Sequence, residues 1–223
     1  QFILDRMNSG YIPGLSACAI INDQVVWTNS YGFANLTFNI PVSDDTNFLL
    51  ASISKLVTTT AIIQIVENIT NQTFEEYCDI NIFNPLGMVE TSWHFDDMDE
   101  LNVAMPYEWM PGWEELGHYF IPYYPSAQLR SNVNELSSFL KAYMGYMPEL
   151  LNEELLTEET IGLMHFEHIN DGWSWNNMSE GWGLGWYHKI INGKDYWGHN
   201  GEMWGVLTEM FFNREGKVGI ILL

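Results

Sequence analysis

The feature that most constrains this chain is where its turn signals fall. Near the start, the runs "LSACAII" and "QVVWTNSYG" are separated by Asn22-Asp23. Near the end, "GWGLGWYHKI" and "KDYWGHNG" are joined at Asn192-Gly193, and "VLTEMFF" and "KVGIILL" by a turn from Asn213 to Gly216. Asn, Asp and Gly tolerate the positive φ that tight hairpin turns demand, so each junction predicts a hairpin. Between these ends the apolar residues recur with a helical period. Hairpins at both ends are expected to join into one antiparallel sheet, with the helices as a second layer. The expected fold class is therefore α+β, of the α/β sandwich type: a sheet of N- and C-terminal strands flanked by helices, plus a mainly helical lobe. We expect one unit over residues 1–223, with an α/β lobe at 1–51 and 172–223 and a helical lobe at 52–171.

Helices are expected from Gln1 to Ser9, stopped by Gly10, and from Ser52 to about Glu67, apolar on nearly every side and so a core helix. "NQTFEEYCDINIF" should be a third, with Thr73 capping it and Glu76 at the capping-box position. "NVNELSSFLKAYMG" should be a fourth, and "NEELLTEETIGLMH" starts with a fifth. Met98 to Tyr124 is aromatic and Pro-rich without a clean period, and reads as a long ordered loop.

Composition narrows the function. The 8 Lys and Arg against 29 Asp and Glu give a net charge of −21, a field that repels nucleic acid. No run reaches the apolar length of a membrane span, and no signal peptide is visible at the start. Cys18 and Cys78 lack metal-ligand spacing and read as buried free thiols. His165 and His168, in "HFEH", read as a surface pair, so no metal is expected. N-x-S/T sequons stand at Asn35, Asn68, Asn71 and Asn177, a weak hint of secretion in an Asn-rich chain.

Ser-x-x-Lys occurs at Ser52/Lys55 and at Ser138/Lys141. In the second, Leu136, Phe139, Leu140 and Tyr143 make the apolar stripe, leaving Ser138 and Lys141 on the solvated side. The first pair lies among Leu49, Leu50, Ile53, Leu56 and Val57. Burial there would lower the lysine pKa, and residues three apart share a helix face. The amine could then draw the proton from Ser52, at a helix N-terminus that favours developing negative charge. The same residues equally allow Ser52 to be a helix cap and Lys55 a side chain reaching out to water.

The wider sequence resembles the serine β-lactamase and penicillin-binding protein superfamily, in particular the class C β-lactamase-like branch of esterases, D-aminopeptidases and DD-peptidases. The resemblance runs in order through "IPGLSACAIINDQVVWTNSYGFANLTFNIPVSDDTNF", "ASISKLVTTTAI", "NQTFEEYCDINIFNPLGMVETSW", "YPSAQLRSNVNELSSFL", "GWGLGWY" and "GHNGEMWGVLTEMFFNREGKVGIILL". It implies a β-lactamase/DD-peptidase-like fold and a serine hydrolase that forms an acyl-enzyme on an amide, ester or lactam carbonyl. Ser52 would be the nucleophile and Lys55 its partner. His199, Asn200 and Gly201 would be the third motif, His-x-Gly in this branch. The backbone N–H groups of Ser52 and Glu202 would form the oxyanion hole. The resemblance implies a small-molecule or peptide substrate, no cofactor, and a periplasmic or extracellular place.

Two departures stand against it. The superfamily has a Tyr-x-Asn motif between the first helix and "NQTFEEY", and this chain passes from "TTTAIIQ" straight to "IVENITNQTFEEY". A segment is therefore expected to be lacking near 64–65, which motivates a rival expectation: a non-catalytic relative that binds a peptide or partner. Ala127-Gln128 stands where relatives carry Gly-Gly, so one wall of the site is expected to differ.

Overall fold

The computed structural model describes residues 1–67, 72–121, 124–145, 157–168 and 180–223, without the side chains of 63–67 and Glu158. Helix α1 (Phe2–Ser9) leads into β1 (Gly14–Ile21) and β2 (Gln24–Asn35). Asn22 and Asp23 between them both have positive φ, 48° and 67°, as the two-residue turn requires. Short strands β3 (Ile40–Pro41) and β4 (Phe48–Leu49) precede a 3-10 turn, Ala51–Ile53, which feeds α2 (Ser54–Glu67). Next come α3 (Phe74–Cys78), a π turn over Asp79–Phe83 and α4 (Asn84–Leu86). Thr73 accepts from the Glu76 N–H and Glu76 from the Thr73 N–H, the expected capping box.

The region from Met98 to Tyr124 departs from the expected loop. It contains a 3-10 turn, Glu100–Asn102, and a hairpin of β5 (Tyr107–Trp109) and β6 (Trp113–Glu115). Trp109 and Trp113 face each other across it with ring centroids 5.2 Å apart. Cross-strand aromatic contact stabilises strands too short to show a period of two. After β7 (Arg130–Ser131) come α5 (Val133–Tyr143) and α6 (Glu158–Met164), and then β8 (Gly181–Trp182), β9 (Tyr187–Ile191), β10 (Lys194–Met203), β11 (Val206–Asn213) and β12 (Val218–Leu222).

The eight-stranded sheet has the order β3-β2-β1-β12-β11-β10-β9-β8 and is antiparallel throughout. The two terminal sets of strands meet at β1 and β12, in register from Ala17 opposite Leu222 to Ile21 opposite Val218. The core lies between this sheet and the helices. Leu50, Ile53, Leu56 and Val57 at the head of α2 pack with Phe139, Leu140 and Tyr143 of α5, and with Met210, Phe212 and Ile221 of the sheet. Helix α2 is not buried all round, however: Lys55 and Ile62, seven apart and so on one face, are both exposed.

Cys18 and Cys78 are buried and unbonded to each other, and burial raises both thiols to about 12. Asn35 is buried, its side-chain oxygen accepting the Phe38 N–H, which leaves no exposed acceptor amide at that sequon. Asn68, Asn71 and Asn177 lie outside the described residues. His168 is exposed as expected. His165 is not a surface residue: its ring packs between Tyr143, Trp186, Trp197 and Phe212, and desolvation lowers its pKa to about 3. Among the described residues, no group of three or more His, Cys, Asp or Glu is placed to hold a metal, and no helix is long and apolar enough to cross a membrane.

Candidate active site

The backbone before Ser52 is held from two sides. The Leu50 N–H donates to the Leu129 carbonyl at 2.9 Å, extending the β4–β7 ladder in which Leu49 faces Arg130. The Leu50 carbonyl in turn accepts the Thr208 hydroxyl at 2.9 Å from β11. Ser54 is fully buried, and its hydroxyl accepts the Leu129 N–H at 3.2 Å. Between these anchors Ala51 adopts φ +49°, a left-handed conformation costing an L-residue about 1–2 kcal/mol. It turns the chain sharply from β4 into the helix. Ser52 therefore stands in the first helical turn, where backbone N–H groups have no intrahelical acceptor.

Lys55 reaches back from the first turn of α2, its Nζ donating to Ser52 Oγ at 2.6 Å. The expected Ser–Lys contact is present, but the expected burial is not, because Lys55 lies on the uncovered face of α2. Partial desolvation around the amine still lowers its pKa from the ordinary lysine value.

Strand β10 passes directly against this turn. A Cβ on Gly201 would lie 2.4 Å from the Leu50 oxygen, 2.4 Å from Thr208 Oγ1 and 3.0 Å from the Ala51 Cβ. Only glycine allows the strand so close. His199 and Asn200 come just before Gly201, and Glu202, exposed, just after. His199 is 8% exposed, and its Nδ1 donates to the Asn200 carbonyl at 2.5 Å. Desolvation lowers its pKa to about 4; that hydrogen bond opposes the shift and the nearby Lys55 charge adds to it. His199 is therefore neutral near pH 7, and its Nε2, without a hydrogen-bond partner among the described residues, can accept. Tyr187 of β9 packs on His199 at 5.6 Å, and its hydroxyl makes a long 3.4 Å contact with Asn200 Oδ1.

The wall carrying Ala127-Gln128 differs from a glycine pair in a definite way. Gln128 is buried, its Oε1 accepting the Ile121 N–H at 2.8 Å, which ties the 118–121 segment to the strand behind Ser52. Sequence reasoning missed three supports of the turn: Ser54, Thr208 and the close approach of Gly201. The available signal was small or hydroxyl-bearing residues within otherwise apolar runs.

The model for the family described as Beta-lactamase matches residues 1–68 and 64–223. The chain belongs to the Beta-lactamase family. Members of this family are typically serine hydrolases, and often periplasmic or secreted. The two matched stretches overlap at 64–68, the place where a segment is expected to be lacking, and α2 runs on unbroken to Glu67. Solved structures agree on the fold. The octameric penicillin-binding protein homologue from Pyrococcus abyssi superposes with a TM-score of 0.84 at 18% identity, over 99% of this chain and 71% of its own. SurE gives a TM-score of 0.84 at 13% identity, over 99% of this chain and 70% of its own. SurE with D-Leu gives 0.78 at 12%, over 99% and 69%. No curated protein sequence matches the chain.

Proposed function

We propose that this member of the Beta-lactamase family is a serine hydrolase that acts by acyl transfer on an amide, ester or lactam carbonyl. The observation that carries the reading is the 2.6 Å Ser52–Lys55 hydrogen bond at a helix start lined by the His199–Gly201 strand. With Lys55 deprotonated, Ser52 Oγ attacks the carbonyl carbon and its proton passes to the amine. The resulting oxyanion takes hydrogen bonds from the N–H groups of Ser52 and Glu202, each worth about 3 kcal/mol in a transition state. Collapse expels the leaving group, which takes the proton from Lys55. Water, deprotonated by Lys55, then releases the acyl group and restores Ser52. Neutral His199 offers Nε2 as an acceptor to the substrate, while Asn200 and Gly201 line its path. The chemistry calls for no cofactor. We place the protein in the periplasm or outside the cell, as is common in its family.

The test is labelling by a fluorophosphonate or a penicillin, followed by peptide mass spectrometry. The expected adduct is on Ser52; a folded sample left unlabelled by both, with no turnover of simple esters, would overturn the reading.

One observation favours a second reading, a non-catalytic relative that binds a peptide or partner. Helix α2 continues through Gln64 and Ile65, and the Tyr-x-Asn residues of the family have no counterpart between α2 and α3. Tight peptide binding by an unreactive Ser52 would support this alternative.

A further inference from the structure

Beyond Gly201 and Glu202, β10 ends in the turn Trp204-Gly205. Trp204 is 73% exposed, although an indole is costly to leave in water. Its turn is nevertheless fixed. The Tyr119 hydroxyl donates to the Trp204 carbonyl at 2.7 Å, and the two rings meet edge to face at 6.3 Å. Gly205, at φ +71°, sits so close to Tyr107 that a Cβ would lie 2.7 Å from its nitrogen. Tyr107 is itself buried, and its hydroxyl accepts the Leu36 N–H at 2.7 Å. Trp204 is three residues on from Gly201, about 10 Å at the usual rise. The molecule thus holds an exposed indole on a fixed turn, at the end of the strand that passes the Ser52 turn.

We propose that Trp204 is a specificity-determining residue, and that the preferred substrates carry an uncharged alkyl or aryl group beside the scissile carbonyl that packs on its indole. The proposal rests on the hydrolase reading. The acidic composition, with a net charge of −21, disfavours a carboxylate in that position. Clamping by Tyr119 and Tyr107 means that little side-chain or turn freedom is lost on binding.

The test is kcat/KM for p-nitrophenyl acetate against p-nitrophenyl hexanoate, with ethyl against hexyl acetate as a second arm that places the apolar group on the leaving side. The arm with the larger preference identifies the side that packs on Trp204. In that arm the longer substrate is expected to be favoured about tenfold, mainly through KM, from partial burial of its methylenes. Trp204→Ala should reduce that ratio to about one, and Trp204→Phe should restore part of it. Tyr119→Phe, which releases the turn, should lower the ratio less. Val89→Ala, an exposed apolar residue in another part of the chain, should leave it intact. Circular dichroism checks that each variant is folded. Turnover with no chain-length preference in either arm, or a preference unchanged in Trp204→Ala, overturns this proposal alone. No turnover in any arm and no labelling of Ser52 overturns the hydrolase reading and this proposal with it.

Discussion

Two helices of this protein carry the same Ser-x-x-Lys spacing, and the structure treats them differently. Ser52 lies in the 3-10 turn that opens α2, whereas Ser138 lies in the middle of α5. At a helix opening the backbone N–H groups are unspent; in the middle they are committed to the ladder four residues back. Ser52 is backed by β10 and β11 through Gly201 and Thr208, while Ser138 and Lys141 are half-exposed on the side of α5 away from its Leu136–Phe139–Leu140 stripe. Spacing brings two side chains together; only position within the helix supplies the free donors that acyl chemistry needs.

The contrast can be broken most directly at the serines. Ser52→Ala should abolish fluorophosphonate labelling and lower ester turnover by on the order of 10⁴-fold or more, whereas Ser138→Ala should retain both. The lysines come next. Lys55→Met should cost about 10³-fold in kcat, the usual scale for losing a positioned proton acceptor. Lys141→Met should change stability by no more than about 0.5 kcal/mol and leave turnover alone, as checked by steady-state kinetics and urea unfolding. Because the Lys55 pKa is lowered, the rate should rise with pH and level off below the ordinary lysine value, and this limb should vanish in Lys55→Met.

Smaller effects sharpen the role of the supporting strand. Gly201→Ala places a methyl group 2.4 Å from the Leu50 oxygen, so strand and turn must part. It should destabilise the fold by about 1–3 kcal/mol in urea unfolding and slow the labelling of Ser52. His199 gives a pH signature. Its pKa is about 4 when folded and about 6.5 when unfolded, so the unfolded chain binds the extra proton first. Its contribution to stability is complete above about pH 6.5 and falls as the pH drops toward 4, by ~3 kcal/mol at most. His199→Gln should flatten the fall of Tm across that window.

Much of this was legible in the chain. Asn22-Asp23 and Asn192-Gly193 announced hairpins because few residues accept positive φ, and Thr73 with Glu76 announced a cap. The β5–β6 hairpin was hidden because a three-residue strand has no room for a period. Lys55 was misjudged for a different reason: apolar neighbours in sequence say that a helix has a buried face, not which face a given residue occupies. The approach of Gly201 to Leu50 could not be read locally at all, since 158 residues separate Leu50 from the Thr208 that completes the contact.

That separation has a consequence for the life of the molecule. Ser52 and Lys55 leave the ribosome well before the strand that borders them. Until β10 and β11 arrive and dock, the serine has its lysine but not its wall. Whatever chemistry Ser52 performs is therefore expected to be silent on a nascent or clipped chain. A covalent probe of that serine doubles as a reporter that these two distant segments have found each other.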